Sequence, residues 1–129
     1  MTRYKVYTKE KGLVETDDYF DFSDLTWHRL DGPAVIQYYD HGGILHESYY
    51  INGKRHRLNG PAFTSYYVDG NISQEDYWVE NSLHRLNGYA SIVYNRAGEI
   101  SSALYYINSK YYSDDDYHKE LLRMLPKDI

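Results

Sequence analysis

The heptapeptide "HRLDGPA" at residues 28–34 recurs with one change as "HRLNGPA" at 56–62 and with two changes as "HRLNGYA" at 84–90. Each copy begins 28 residues after the previous one, without a gap or an insertion. A fixed interval of this length is typical of a chain built from similar structural units. The period predicts three units, 28–55, 56–83 and 84–111.

Many other positions keep the same period. A glycine column at 42, 70 and 98 supplies a residue that adopts positive φ without steric cost, as a turn requires. An isoleucine follows two residues later in every unit. The aromatic columns are Tyr38, Tyr66 and Tyr94; Tyr49, Tyr77 and Tyr105; and Tyr50, Trp78 and Tyr106. This many columns in register exceeds what chance produces, so the units should fold alike.

Within a unit the pattern predicts two β-strands. In the first unit, "AVIQYY" at 34–39 is followed by the turn "DHGG", and "ILHESYYI" at 44–51 leads into "NGK" at 52–54. β-branched and aromatic residues favour strands, and Asn-Gly is a strong hairpin signal. The predicted fold class is therefore all-β, an array of stacked antiparallel hairpins that bury one another's aromatic columns.

The ends of the chain differ from the units, and we expect 1–129 to form a single domain. The segment 1–27 predicts an N-terminal strand cap with a turn at "KEKG". The segment 113–126 predicts a short helix, with Ser113 as its N-cap and three aspartates in its first turn. Pro126 should end this helix.

The predicted helix has one apolar face, formed by Tyr117, Leu121, Met124 and Leu125. One interpretation is that this face packs on the last hairpin and shields an open sheet edge. The other is that this face docks on a partner protein or on a second copy of the chain, and the second case would give a homodimer.

Composition excludes several classes of function. The formal net charge is −5 without a basic block, which disfavours general nucleic-acid binding and attraction to anionic membranes. The absence of cysteine excludes disulfides, thiolate catalysis and cysteine-type zinc sites. The N-terminal residues have no signal-peptide core, and no stretch is long and apolar enough to span a membrane. We expect a soluble, cytoplasmic protein.

The unit resembles the MORN-type repeat in its bacterial variant. The resemblance covers about 34–112 and is carried by Tyr39, Gly42, Ile44, Tyr50, Asn52, Gly53 and Lys54. The "HRxxGPA" extension is similar to a longer variant found in phage, large-virus and bacterial proteins. The third unit departs from it, with "ENS" for "NGK" and Tyr89 for the proline. The resemblance implies stacked hairpins used as scaffolds without enzymatic chemistry, and for some bacterial relatives an antitoxin role.

The repeated His-Arg pairs have two interpretations. They can be structural, because a residue needed in every unit usually solves a problem that every unit shares. Alternatively, they form a row that holds a phosphate-bearing or other anionic ligand, since arginine presents a forked cation. The residues are His28, Arg29, His56, Arg57, His84 and Arg85.

The aromatic columns supply the candidate protein-binding surface. Adjacent rings point to opposite faces of a strand, so one face can pack as core while the other stays exposed to a partner. These candidates are Tyr38, Tyr66, Tyr94, Tyr50, Trp78 and Tyr106. The leading hypothesis is a non-enzymatic protein-binding module, in its most specific form an inhibitor or antitoxin-like protein. The sequence predicts no catalytic residue, no cofactor and no metal site.

Overall fold

An N-terminal hairpin opens the described part of the chain, which covers residues 3–17 and 20–126 of the computed structural model. Strands β1 (Arg3–Thr8) and β2 (Gly12–Asp17) are antiparallel. The Thr8 hydroxyl fixes the turn between them, because it accepts a hydrogen bond from the Lys11 backbone at 2.9 Å. The predicted cap at 1–27 includes residues 1, 2, 18 and 19, which lie outside the described residues.

The three units supply the remaining strands. These are β3 (Val35–Tyr38), β4 (Ile44–Ser48), β5 (Tyr50–Ile51), β6 (Lys54–Arg55), β7 (Phe63–Tyr66), β8 (Ile72–Asp76), β9 (Trp78–Val79), β10 (Ser82–Leu83), β11 (Ser91–Tyr94), β12 (Ile100–Ile107) and β13 (Lys110–Tyr112). Within the described residues, nine strands form one antiparallel sheet in the order β13-β12-β11-β8-β7-β4-β3-β1-β2. The short pairs β5–β6 and β9–β10 lie outside it. The predicted all-β fold is confirmed.

Each unit carries a second, tighter hairpin after its long strand. Asn52 and Gly53 link β5 to β6 with φ of 51° and 79°, which is the backbone of a two-residue type I′ turn. Glu80 and Asn81 keep positive φ at the same place one unit later, as do 108 and 109. The turn geometry is therefore retained where the Asn-Gly sequence is not.

Buried alanines hold neighbouring units together. Ala34, Ala62 and Ala90 end the repeated heptapeptides, and each is fully inaccessible to solvent. Their carbonyls accept hydrogen bonds at 2.7 Å from the backbone N–H of Tyr7, Tyr49 and Tyr77, respectively. A side chain larger than a methyl group would separate the backbones that make these bonds.

Strand β1 occupies the place of the strand that would precede the first unit. Tyr7 bonds to Ala34 as Tyr49 bonds to Ala62, although Tyr7 lies 42 residues before Tyr49 instead of 28. Trp27 pairs with Thr8 in an isolated bridge, as Arg55 pairs with Tyr50. Fourteen inserted residues, which include β2, thus separate the two halves of an otherwise similar unit.

Helix α1 (Asp114–Arg123) packs on the last hairpin. The Ser113 hydroxyl caps it by accepting the Asp116 N–H at 3.2 Å. Tyr117 is buried, and its ring stacks on Tyr105 with a centroid distance of 4.0 Å. The helix ends three residues before Pro126, because a residue that precedes proline is disfavoured in the helical conformation. The predicted C-terminal capping helix is confirmed.

Part of the apolar face predicted for the helix remains open to solvent. Met124 and Leu125 are exposed, whereas Leu121 is half-buried. The buried contact of this face is made by Tyr117, whose ring stacks on Tyr105 of β12 and whose hydroxyl donates to the Arg85 carbonyl at 2.8 Å.

Candidate functional site

The repeated histidines bond to the turn that closes their own unit. In each case the imidazole Nδ1 accepts a hydrogen bond from a backbone N–H located 24 residues later. The pairs are His28 with Asn52 at 2.9 Å, His56 with Glu80 at 3.1 Å and His84 with Asn108 at 3.0 Å. An Nδ1 accepts such a bond in the tautomer that has its hydrogen on Nε2. Burial also lowers the pKa of His84.

The repeated arginines pack on tyrosines of the preceding unit or of the N-terminal cap. The guanidinium carbon lies about 4 Å from the ring centroid in each case, in the geometry of a cation–π interaction. The distances are 3.8 Å for Arg29 on Tyr7, 4.0 Å for Arg57 on Tyr49 and 3.9 Å for Arg85 on Tyr77. A terminal guanidinium nitrogen also donates to the carbonyl of residue 33, 61 or 89, at 3.0–3.2 Å.

The glycine three residues after each arginine makes this packing feasible. A Cβ at Gly60 would lie 2.7 Å from Arg57 Cζ, and one at Gly32 would lie 2.8 Å from Arg29 Cζ. No side chain fits in so short a distance without displacing the guanidinium. The spacing His-Arg-x-x-Gly is thus explained by contacts inside the fold.

These contacts favour the structural interpretation of the His-Arg row. Each pair joins its own unit to the preceding one, because the histidine backbone also donates to Tyr7, Tyr49 or Tyr77. Arg57, Tyr77, His84 and Arg85 line a groove of about 510 Å³. Anion binding in this groove therefore stays a prediction, and an incoming anion would compete with the bonds already made.

The first predicted partner-binding column consists of the tyrosines that end β3, β7 and β11. Tyr66 and Tyr94 are half-buried, and their hydroxyls donate to Glu47 and Glu75 at 2.6 Å. The bond to Glu75, together with burial, raises the pKa of Tyr94 to about 12. Burial and the bond to Glu47 raise the pKa of Tyr66 as well. These hydroxyls are engaged within the sheet.

The second predicted column lies on the short hairpins and on β12. Tyr50 is buried, whereas Trp78 and Tyr106 are half-buried. The structure therefore presents neither aromatic column as an exposed strip, and partner binding by these six residues remains a prediction.

One repeated apolar column that the sequence-based hypotheses omit is exposed to solvent. The leucine after each His-Arg pair projects into solvent, and Leu30, Leu58 and Leu86 expose 81%, 80% and 43% of their surface. We call these three residues the leucine row. Its signal was present in the sequence, since the leucines keep the 28-residue period. Periodicity alone does not tell an exposed column from a buried one.

A second histidine–arginine pair lines an aromatic cavity between the N-terminal cap and the first unit. The cavity has a volume of about 310 Å³. Its wall includes the rings of Tyr4, Phe22, Trp27 and Tyr50 and the side chains of His46 and Arg55. Within the described part of the chain, three buried polar atoms on this wall have no hydrogen-bond partner. They are Trp27 Nε1, His46 Nδ1 and Arg55 Nε.

Aromatic rings, in place of a carboxylate, surround the Arg55 guanidinium. Its central carbon lies 5.4–5.6 Å from the ring centroids of Tyr50, Phe63 and Trp78. Among the described residues it forms no ion pair with a carboxylate. Burial and the neighbouring Arg55 charge lower the pKa of His46, so this imidazole is neutral near pH 7. A buried donor without a partner costs about 1–3 kcal/mol of stability.

The cavity residues break the repeat. One period after His46 stands Gln74, and one period after Arg55 stands Leu83. The Gln74 amide donates to the Asp76 carboxylate at 3.0–3.2 Å, so the polar side chain in the second unit is paired. In the sequence, this cavity is marked by residues that depart from the 28-residue repeat. Columns of identical residues therefore do not reveal it.

Comparison of the chain with protein-family models, with curated proteins and with solved structures gave no match. Within the described residues, no group of three or more histidine, cysteine, aspartate or glutamate side chains is placed to share a metal ion. In the same part of the chain, no helix combines the length and apolar character that crossing a bilayer requires.

Proposed function

We propose that this protein is a non-catalytic binding module that docks a partner protein along the leucine row. One observation carries the proposal: Leu30 and Leu58 are about four-fifths exposed, yet the sequence keeps leucine at this position in all three units. Isolated exposed leucines are ordinary on protein surfaces, but a regular row of them marks an interaction surface.

Leu30 and Leu58 are about four-fifths exposed, and Leu86 is 43% exposed. The adjacent histidine, arginine and glycine are instead held by hydrogen bonds and packing. Burial of a leucine in an interface contributes about 1.5–3 kcal/mol. Three leucines therefore suffice for a specific complex if the partner covers them together.

The spacing of the row suits a helical partner. Each unit adds two strands to the sheet, and strands lie about 4.8 Å apart, so successive leucines are about 10 Å apart. Every seventh residue of an α-helix recurs after about 10.5 Å. The net charge of −5 favours a helix whose flanks carry lysine or arginine. An inhibitor or antitoxin-like protein is the most specific form of this function, since docking can cover a partner's active surface.

The test compares the wild-type protein with the triple variant Leu30→Ser, Leu58→Ser, Leu86→Ser. The full-length proteins are used for capture from the native host, and the Kd of each captured partner is then measured with purified components. We expect the triple variant to weaken binding by about 100-fold or more, with stability changed by about 0.5 kcal/mol or less per substitution.

Val68→Ser is the matched control, because Val68 is 56% exposed but lies outside the row. It should leave the Kd unchanged. Equal binding by the triple variant and the wild type would contradict the proposal, as would an equal loss in the Val68→Ser variant. Arg57→Ala, tested in parallel with inorganic phosphate, addresses the alternative in which the His-Arg row holds an anion.

A further inference from the structure

We propose that the aromatic cavity between the N-terminal cap and the first unit binds a small aromatic carboxylate. The inference goes beyond the leucine row, because the two surfaces share no residue. It depends on the polar atoms of Trp27, His46 and Arg55, which line the cavity and lack partners in the described part of the chain.

The unpartnered atoms favour a ligand that accepts hydrogen bonds. The Trp27 indole and the Arg55 guanidinium can only donate hydrogen bonds, and a neutral His46 can donate from Nδ1. Buried polar atoms in folded proteins are nearly always paired, so three unpaired ones around one cavity are typical of a site whose occupant supplies the partners. That occupant must carry hydrogen-bond acceptors on one side.

The charge of Arg55 selects an anion. Its guanidinium is permanently charged, and it lies among rings without a carboxylate within ion-pair distance in the described residues. A carboxylate matches the fork of a guanidinium with two parallel hydrogen bonds. A carboxylate ligand would therefore supply a countercharge that the described residues do not provide.

The aromatic walls and the volume of the cavity favour a ligand with a small flat ring. Trp27 and Tyr50 meet edge to face at a centroid distance of 4.9 Å, and Phe22 meets Trp27 at 6.4 Å, so one side of the cavity is an aromatic wall. Aromatic rings pack favourably against such walls. A volume of about 310 Å³ admits a single or fused ring with a short acid, but it is at the lower limit for ligand pockets.

The repeat provides an internal comparison. The corresponding positions of the second unit carry Gln74, which pairs with Asp76, and Leu83, which has no polar group. The His-Arg row keeps its residue types in all three units, whereas His46 and Arg55 do not recur in the second unit.

The experiment is an NMR titration of the full-length ¹⁵N-labelled protein with benzoate, phenylacetate and indole-3-acetate. The protein has two tryptophans, so it gives two indole N–H signals, and a Trp27→Phe variant assigns the one from the cavity. We expect a saturable shift of the Trp27 signal with at least one of the three acids. Benzamide, which is neutral, and acetate, which lacks a ring, should bind at least about tenfold more weakly.

Two variants locate the interaction. Arg55→Leu takes the residue found one period later and should weaken binding by about tenfold or more. Lys54→Leu removes the same charge from the exposed neighbouring position and should change the Kd less than about twofold. If Arg55→Leu does not fold, His46→Gln replaces it, with weaker binding expected. The proposal is overturned if none of the three acids gives a saturable Trp27 shift. It is also overturned if benzamide binds as well as benzoate, or if Arg55→Leu and His46→Gln bind like the wild type.

Discussion

Two histidine–arginine pairs lie within residues 46–57 of this protein, and they are held in different ways. His56 and Arg57 are engaged: the imidazole accepts a backbone N–H, and the guanidinium stacks on Tyr49 and donates to the Pro61 carbonyl. His46 and Arg55 face a cavity, and one ring or guanidinium nitrogen of each is buried without a partner among the described residues.

The difference indicates that, in this repeated fold, one set of residues stabilises the units and another set is available for binding. The engaged pair recurs in all three units because every unit needs the same junction. The unengaged pair occurs once, and one period later it is replaced by residues that pair internally or carry no charge. In this chain the invariant His-Arg pairs are engaged within the fold, whereas the pair that departs from its columns faces a cavity and is a candidate site.

The largest effect that this comparison predicts is on stability. Arg57→Ala removes a charged hydrogen bond and a cation–π contact at the centre of the array, so we expect the free energy of unfolding to fall by about 2–4 kcal/mol. Urea denaturation monitored by tryptophan fluorescence measures it. Arg57→Lys keeps the charge near the ring but loses the forked donor, and should retain part of the stability. A loss below about 1 kcal/mol for Arg57→Ala would show that the junction does not hold the units together.

A smaller loss of stability is expected when the pH is lowered. The folded-state pKa values of His46 and His84 are lowered from 6.5, so the unfolded chain binds protons more readily than the folded protein. The neutral rings thus contribute stability above pH 6.5 that is lost as the pH falls through their lower folded-state values. Thermal melting between pH 7.5 and pH 5 measures this, in a range where the carboxylates stay ionised.

The matched variant for the acid effect is His84→Gln, which cannot be protonated. Its melting temperature should depend less on pH across the same range, although it should be lower than that of the wild type near neutral pH. If the melting temperatures of both proteins fell equally steeply with pH, groups other than His84 would cause the acid sensitivity.

The smallest effect is expected at the unengaged pair. Arg55→Leu removes a half-buried charge that has no carboxylate partner among the described residues, and it also removes three distant ring contacts. These contributions oppose each other. We expect the free energy of unfolding to change by about 1 kcal/mol or less, with an increase as readily as a decrease. The measurement is again urea denaturation, side by side with Arg57→Ala. A loss as large as that of Arg57→Ala would make Arg55 a structural residue and remove the contrast between the pairs.

Much of the fold follows from local sequence. The glycine column and the strand composition of 34–51 predict the long hairpins, and the structure has β3 and β4 there. Ser113 and the aspartates that follow it predict the helix start, which lies at Asp114. These features depend on residues close together in the chain, so a linear reading detects them.

The N-terminal cap could not be predicted in the same detail. Tyr7 and Trp27 occupy places equivalent to Tyr49 and Arg55, but the inserted segment between them shifts the period. Helix α1 shows a similar substitution, since Tyr117 stacks on Tyr105 at the place where an arginine lies on each earlier tyrosine. Nothing in the local sequence around Tyr7 or Tyr117 indicates these partners.

For the two candidate surfaces as well, the sequence shows some features and the structure shows others. The sequence shows that Leu30, Leu58 and Leu86 form a column, and that His46 and Arg55 leave theirs. Exposure of the leucines, and the lack of partners for His46 Nδ1 and Arg55 Nε among the described residues, become visible only in three dimensions. Both depend on which neighbouring strands approach each side chain.

The amino-acid sequence by itself determined the period, the strands, the turns and the helix cap, because each of these is set by the conformational preferences of a few consecutive residues. The tertiary structure decided which polar groups are paired, which columns are buried and where a cavity remains. Those properties arise when strands that are distant in the chain are placed side by side, and the identity of a single residue does not fix them.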